Sequence, residues 1–369
     1  MPAKISMDVQ PLLGSKSGVG YYIWGLIHGL AKIDHENTYQ LSFFDFRNQG
    51  FKVPRPGTQF YQKRSRLPGR MIQYLWKTCA WPNYNTFFGG CDLYHFPNFV
   101  IQPLKGVKKV VTIHDLSFFR YPEYTDPKNL KYLRNKIGDT VYGADEIIVD
   151  SHFTKSELLS FFKIEKERIH VIHLGIDSRF QKGTALREKQ ILFVGTLEPR
   201  KNIEGLLSAF KIFLDRTHWM DYRLTLVGMK GWLYEGMMKA LENHPYREKI
   251  ECLNYVSEED LPLLYQKAAL FIYPSFYEGF GLPPLEALSS GTPVIAARRA
   301  SLPEVLGDAA LWIDPQNAEA IAIAIERMIR EEGLKSELIR KGEEQVKKFS
   351  WEKAARETLQ VYQKALAQK

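Results

Sequence analysis

Short β-rich apolar runs alternate with amphipathic helical stretches along the whole of this chain, and that alternation leaves few folds open. In the first half the runs are KISMDV, YQLSFFDF, DLYHFP, KKVVTIHD, DEIIVDS and RIHVIHLG. In the second half they are QILFVGT, YRLTLVG, IECLNYV, ALFIYPS, TPVIAA and AALWIDP. The stretches between them repeat with helical period. After Asn202, residues Ile203, Leu206, Leu207, Phe210, Phe213 and Leu214 fall on one face, and Asn202 is placed to cap that helix. Strand–helix alternation builds parallel sheets covered by helices on both faces. The chain has 369 residues, more than one hydrophobic core serves, so the two sets predict two doubly wound α/β domains. The polar, glycine-bearing stretch GIDSRFQKGTALREKQ, residues 175–190, is the expected hinge. The expected division is residues 1–180, residues 181–350, and a terminal helix over 351–369 that packs back on the first domain.

Composition narrows the class. A hydrophobic content of 45% with 25% charged residues is that of a water-soluble globular enzyme. The opening residues lack the apolar run of a signal peptide, and no segment approaches a membrane span. Cys79, Cys91 and Cys252 are odd in number and without metal-ligand spacing, which fits a reducing, cytoplasmic setting. The net charge of +8 suits phosphorylated substrates, an anionic membrane surface or plain solubility. No nucleic-acid motif accompanies it.

In doubly wound folds ligands bind beyond the carboxyl ends of the strands, so the residues after each strand carry the candidates. After QILFVGT come Arg200 and Lys201, just before a helix, as a phosphate clamp or a solvated basic loop. After ALFIYPS comes SFYEGFGLPPLEALSSGTPVIA, which sets Glu278 and Glu286 around Gly279, Gly281, Pro283 and Pro284. Pro284 fits a first helical position. That places Glu286 in the first turn and Glu278 in the loop, where carboxylates accept sugar or ribose hydroxyls; an incidental capped helix is the plain alternative. Gly18 and Gly20 open an N-terminal helix and either cradle a ligand or form a tight turn. His114 ends a buried strand, as a hydroxyl partner or a structural histidine, with Asp115 beside it to orient it or to face the acceptor. His152 reads as a polar loop residue beside a Ser151 or Thr154 cap. The stretch QKRSRLPGRMIQYLWKTCAWPNYN interleaves cations with aromatics and fits an anionic lipid surface or an ordinary amphipathic helix. No G-x-S-x-G, H-E-x-x-H or P-loop occurs.

Taken together, SGVGYY, DLYHFPNFV, VTIHDLSFFRYPE, ADEIIVDSHFTKSEL, GTLEPRKNIEGLLSAF, VSEEDLPLLY, YEGFGLPPLEALSSGTPVI and SLPEVLGDAAL resemble the retaining family 4 glycosyltransferases, nearest the bacterial mannosyltransferases of surface polysaccharide synthesis. The resemblance implies two Rossmann-like domains facing a cleft, the glycosyltransferase-B arrangement. With Gly20 and His114 in the first domain and Arg200, Lys201, Glu278 and Glu286 in the second, the two are expected to close around one donor. The resemblance implies that Arg200 and Lys201 grip the donor diphosphate, Glu278 contacts the transferred sugar and Glu286 the ribose. His114 then lies beside the donor sugar, with Gly18, Gly20, Gly279, Phe280, Gly281 and Leu282 lining the donor. It implies a nucleotide-sugar donor, with GDP-mannose the favoured one, a glycan or lipid-linked acceptor, and no cofactor or metal. A cytoplasmic protein, with peripheral contact at the inner membrane face, is the corresponding setting. A nucleotide-sugar epimerase of the same fold, or a non-catalytic nucleotide-sugar-binding protein, stands as the alternative.

Overall fold

The computed structural model describes residues 2–14, 18–46 and 53–368. Ser15, Lys16 and Ser17 of the glycine stretch lie outside the described residues. The chain forms two α/β units. One comprises residues 1–116, 131–175 and 350–369; the other comprises 117–130 and 176–349.

The first unit is built on a parallel sheet: β1 (Lys4–Asp8), β2 (Thr38–Phe44), β3 (Phe60–Ser65), β4 (Leu93–Phe96), β5 (Lys108–Ile113), β6 (Glu146–Val149) and β7 (Ile169–Val171). Their order is β3-β2-β1-β4-β5-β6-β7. Strand β3, FYQKRS, has no counterpart among the runs read from sequence. Among the described residues it pairs only with β2, at the sheet edge, and within it Phe60 and Ser65 are the buried residues. Its cations suit an edge strand that must not recruit another chain, and they hide it inside a basic stretch.

The second unit carries β8 (Glu188–Val194), β9 (Arg223–Val227), β10 (Ile250–Leu253), β11 (Ala268–Tyr273), β12 (Val294–Ala297) and β13 (Ala310–Ile313). The order β10-β9-β8-β11-β12-β13 is again parallel and reverses direction between β8 and β11. That reversal opens a crevice at the strand ends where ligands bind in such sheets. The Ile203–Thr217 helix buries the face its sequence marks, Ile203, Leu206, Leu207, Phe210, Phe213 and Leu214. Asn202 precedes it, but in left-handed conformation and without a capping hydrogen bond. Its side-chain amide instead donates to the Pro315 carbonyl at 2.6 Å, tying the helix start to the end of β13.

The terminal helix, Trp351–Ala367, starts on a Ser350 cap and buries Ala354, Ala355, Thr358, Val361, Tyr362 and Ala365. Small residues explain why so little apolar surface suffices: they let it lie against the Gly18–Ile33 helix. A Cβ on Gly29 would sit 2.4 Å from the Trp351 carbonyl oxygen, a backbone atom that cannot swing aside. Gly29→Ala is therefore expected to cost about 1–3 kcal/mol by overpacking. Urea denaturation measures it, and an unchanged midpoint would contradict this packing.

Candidate active site

The loop leaving β8 and the loop leaving β11 meet at the strand-order reversal. After β8 a short 3-10 turn, Pro199–Lys201, presents Arg200 and Lys201. After β11 the chain runs through Phe276, Tyr277 and Glu278. The Phe276 N–H donates to the Arg200 carbonyl at 2.9 Å, and Arg200 Nη1 donates back to the Tyr277 carbonyl at 2.7 Å. One backbone and one side-chain hydrogen bond thus stitch the two loops together.

Lys201 Nζ donates to Glu278 Oε1 at 2.6 Å and to the Tyr273 hydroxyl at 2.8 Å, and stands 5.1 Å over the Tyr273 ring. Arg200 Nη1 reaches Glu278 Oε2 at 3.2 Å, while Arg200 Nη2 reaches Glu198 Oε1 at 2.7 Å. Glu198, Lys201 and Glu278 are all buried. Burial pulls the Lys201 ammonium below its usual lysine value, with Glu278 opposing. Burial also pushes the Glu278 carboxyl up, but Lys201 and Arg200 together outweigh it and hold it below the ordinary range. Two cations and two carboxylates, none exposed, form a fixed quartet of zero net charge. Glu198 was not among the sequence candidates. Its signal is position alone, four residues past β8 in a loop whose Arg200 and Lys201 drew attention first.

The stretch after Glu278 turns sharply. The Ser301 hydroxyl faces the carbonyls of both Glu278 and Phe280 at 2.9 Å. Gly281 has φ +106°, a left-handed value, and a Cβ there would lie 2.7 Å from Leu302. The helix begins at Leu282 and runs to Ser289. Pro284 is therefore its third residue, not its first, and Glu286 lies beyond the first turn. The Tyr265 hydroxyl donates to Glu286 Oε2 at 2.8 Å. Burial, with Asp177 also nearby, pushes the Glu286 carboxyl up to about 7, against the Tyr265 hydrogen bond and Arg179. Glu286 is thus chemically apart from the quartet: Glu278 stays ionised, while Glu286 titrates near neutrality.

Gly18, Gly20 and His114 belong to the first unit. Gly18 is the exposed first residue of its helix and Gly20 is buried in the first turn. His114 follows β5, and Ile113 pairs with Val149 of β6, so Asp150 is its neighbour across the sheet. His114 Nδ1 lies 2.7 Å from Asp150 Oδ2, and Nε2 lies 3.0 Å from the Pro97 carbonyl. A carbonyl only accepts, so Nε2 carries a proton, and Nδ1 and Asp150 share the other. Burial alone would lower the His114 pKa, but Asp150 and Pro97 outweigh it and raise it. Both ring nitrogens are engaged, so the imidazole as it stands has none left for a hydroxyl. Its orienting carboxylate is Asp150, which the sequence reading passed over. Of the two caps the sequence offers, Ser151 is the one used, accepting from the Thr154 N–H, and His152 is the first residue of the helix His152–Phe161, not a loop residue. The cysteines are free thiols. Among the described residues no cluster of three or more His, Cys, Asp or Glu could hold a metal ion, and no helix is long and apolar enough to cross a membrane.

At the strand-order reversal of this doubly wound sheet Arg200 and Lys201 gather with Glu198 and Glu278, the place where such folds bind ligands. Residues 16–180 match the family described as Glycosyltransferase Family 4, and residues 176–345 match Glycosyl transferases group 1. The chain is 37% identical to O-antigen chain mannosyltransferase B of Escherichia coli, over 97% of this chain and 99% of that one. A sucrose-phosphate synthase from Thermosynechococcus elongatus superposes with a TM-score of 0.80 at 20% identity, with 99% of each chain covered. Anabaena HepE, solved with UDP-glucose, superposes at 0.72 and 16% identity, covering 98% of this chain and all of its own. The chain belongs to the family 4 glycosyltransferases and has their two-domain fold.

Proposed function

We propose that this enzyme transfers mannose from GDP-mannose, with retention of configuration, to a glycan or lipid-linked acceptor in surface polysaccharide synthesis. The observation that carries this reading is the convergence of Arg200 and Lys201 on Glu278 at the strand-order reversal. The kinship with an E. coli O-antigen chain mannosyltransferase supports the choice of sugar. In the reaction the bond between the sugar anomeric carbon and the diphosphate oxygen breaks, and negative charge develops on the leaving diphosphate. Arg200 and Lys201 are held at the strand ends and largely desolvated, so a short swing of Arg200 off a carboxylate partner brings both cations to that charge. The acceptor hydroxyl attacks the same face of the sugar, and its proton passes to the departing phosphate oxygen. Glu278 accepts hydroxyl hydrogens of the transferred sugar. Glu286 accepts those of the ribose.

The test is a panel of nucleotide sugars offered to the purified enzyme with and without a mannoside acceptor. Expected is consumption of GDP-mannose with a new mannoside formed. Acceptor-independent release of an altered sugar would make the enzyme an epimerase, and binding without breakdown would make it a binding protein.

The ribose role has a pH signature. Ionised Glu286 accepts both ribose hydroxyls, whereas the protonated group accepts less well. With its carboxyl near 7, affinity for GDP should fall as pH drops from about 8 to about 6. Glu286→Gln should flatten that dependence. Calorimetry at several pH values decides, and a wild-type affinity constant across the range would remove Glu286 from the ribose.

The acceptor side is proposed to rest on an anionic membrane surface. Between Asp45 and Asp92 the sequence has eight Lys and Arg residues and no Asp or Glu, which matches the whole +8 excess of the chain. The Gly69–Thr78 helix buries Ile72 and Trp76 and turns out Met71 and Tyr74, 50% and 66% exposed. Leu67 and Trp81 flank them, also exposed. Apolar tips among cations suit an interfacial helix. Co-sedimentation with phosphatidylglycerol vesicles, but not with phosphatidylcholine vesicles, is expected, and Tyr74→Glu should reduce it. Equal binding to both vesicle types, or to neither, would contradict the proposal.

A further inference from the structure

Residues 117–130 follow a path that neither flanking segment explains. The chain is part of the first unit up to Leu116 and again from Lys131, yet the intervening residues belong to the second unit. They form a short helix, Ser117–Arg120, and a 3-10 turn, Pro122–Tyr124. Fixing such a detour costs backbone entropy of about 1–2 kcal/mol per residue, so its contacts must repay it.

Tyr121 and Tyr124 make aromatic contacts with the loop after β11. The rings of Tyr121 and Tyr124 stack on each other, 5.6 Å apart and nearly parallel. Tyr124 stacks on Phe276 at 5.9 Å, and Tyr121 meets Tyr277 edge-on at 5.9 Å. From the other side the Trp232 indole N–H donates to the Tyr124 carbonyl at 2.5 Å. Phe276 and Tyr277 are the residues whose backbone fixes Arg200: the first donates to its carbonyl, the second accepts from its guanidinium. Glu278 is the next residue along the chain.

We propose that Tyr121 and Tyr124 are positioning residues for sugar transfer, holding the Phe276–Glu278 loop, and through it the Arg200 guanidinium, in the geometry the leaving diphosphate requires. The proposal rests on the assignment of Arg200 and Glu278 to the donor. Aromatic pairs suit the task, since their rings have few rotatable bonds and prefer the edge-on and offset-stacked arrangements seen here. The short strap begins three residues after His114 in sequence, so the same run of chain that ends β5 also braces the loop bearing Glu278. A group that only positions others should matter most in the transition state, where small displacements of a fixed cation are felt. Binding of the ground-state nucleotide, which also draws on Lys201 and Glu286, should depend on it less.

The experiment compares Tyr121→Ala, Tyr124→Ala, Tyr124→Phe and Trp232→Phe with wild type and with Arg200→Ala. Turnover is measured with GDP-mannose, or with whichever panel donor wild type consumes, alongside calorimetric affinity for the nucleoside diphosphate that donor releases. Each alanine variant should lose about 10-fold or more in kcat while nucleotide affinity stays within about 3-fold. Tyr124→Phe, which keeps the ring, should restore kcat. Trp232→Phe, which keeps a ring and loses one hydrogen bond, should fall between them, and it carries the test if an alanine variant does not fold. Unchanged turnover in all of them would overturn the proposal. So would a loss that phenylalanine does not rescue, or one matched by an equal loss of nucleotide affinity. An inactive Arg200→Ala beside a fully active Tyr124→Ala removes only the strap; a fully active Arg200→Ala removes the donor assignment itself.

Discussion

Lys201→Ala is expected to lower kcat by about 10²–10³-fold, the effect of deleting one preorganised donor to a developing charge, and to destabilise the fold as well. The second effect follows from burial. Lys201 and Glu278 are each only 8% exposed at the side chain and pair at 2.6 Å. Removing one partner of a buried pair leaves an uncompensated charge, typically at a cost of about 3–5 kcal/mol. Arg200 retains part of the compensation at 3.2 Å, which places the expected loss at the lower end. Without Lys201 the Glu278 carboxyl loses the stronger of the two influences holding it down, so its pKa must rise. Sign and window follow. A depressed carboxylate contributes stability that is present above its unfolded pKa, near 4.5, and lost as pH falls through the lower folded value. Wild type should therefore keep this contribution at mildly acidic pH, and the variant should lack it throughout. Denaturation curves at pH 5 and pH 7, with steady-state kinetics, check both parts. Normal turnover and stability would show that the quartet does not act as described.

Glu278→Gln separates sugar from diphosphate. The wild-type quartet has two cations and two carboxylates; the substitution leaves two cations and one carboxylate, a net +1. Affinity for a nucleoside diphosphate should then be held or increased. The amide is a weaker acceptor for sugar hydroxyls than a carboxylate, so turnover should fall about 10²-fold, through the loss of a charge-assisted hydrogen bond to the transferring sugar. Calorimetry with GDP and kinetics with the intact donor distinguish these. Parallel losses in both would instead make Glu278 a structural support for Arg200 and Lys201.

Much of this was legible from the chain alone, for physical reasons. Parallel strands buried on both faces read as apolar runs, and twelve of the strands announce themselves that way, whereas β3, an edge strand with Gln62, Lys63 and Arg64 at its centre, does not. Arg200, Lys201 and Glu278 were visible because the ends of such strands are where ligands bind. What stayed hidden was pairwise. Glu198 and Asp150 are ordinary loop carboxylates until a sheet register or a tight turn sets them against Arg200 and His114. His114 reads as a free hydroxyl partner until Pro97 and Asp150 occupy both its nitrogens. Asn202 resembles a cap by type and place, yet its left-handed backbone sends the side chain to Pro315. Glu286 looks equivalent to Glu278, but burial that Arg179 and Tyr265 do not offset pushes it up to about 7, whereas Lys201 and Arg200 hold Glu278 down. The detour of residues 117–130 leaves no mark at all, because VTIHDLSFFRYPEY reads as one uninterrupted stretch leaving a strand.

The quartet at the β8–β11 reversal is proposed to receive the leaving diphosphate. A crystal structure of the enzyme soaked with GDP tests it most directly. Diphosphate oxygens are expected within hydrogen-bonding distance of Arg200 and Lys201, with Arg200 drawn away from Glu198 or Glu278 to reach them, and the ribose hydroxyls on Glu286. A diphosphate bound elsewhere, with Arg200 and Lys201 still paired as they are in the free protein, would contradict it.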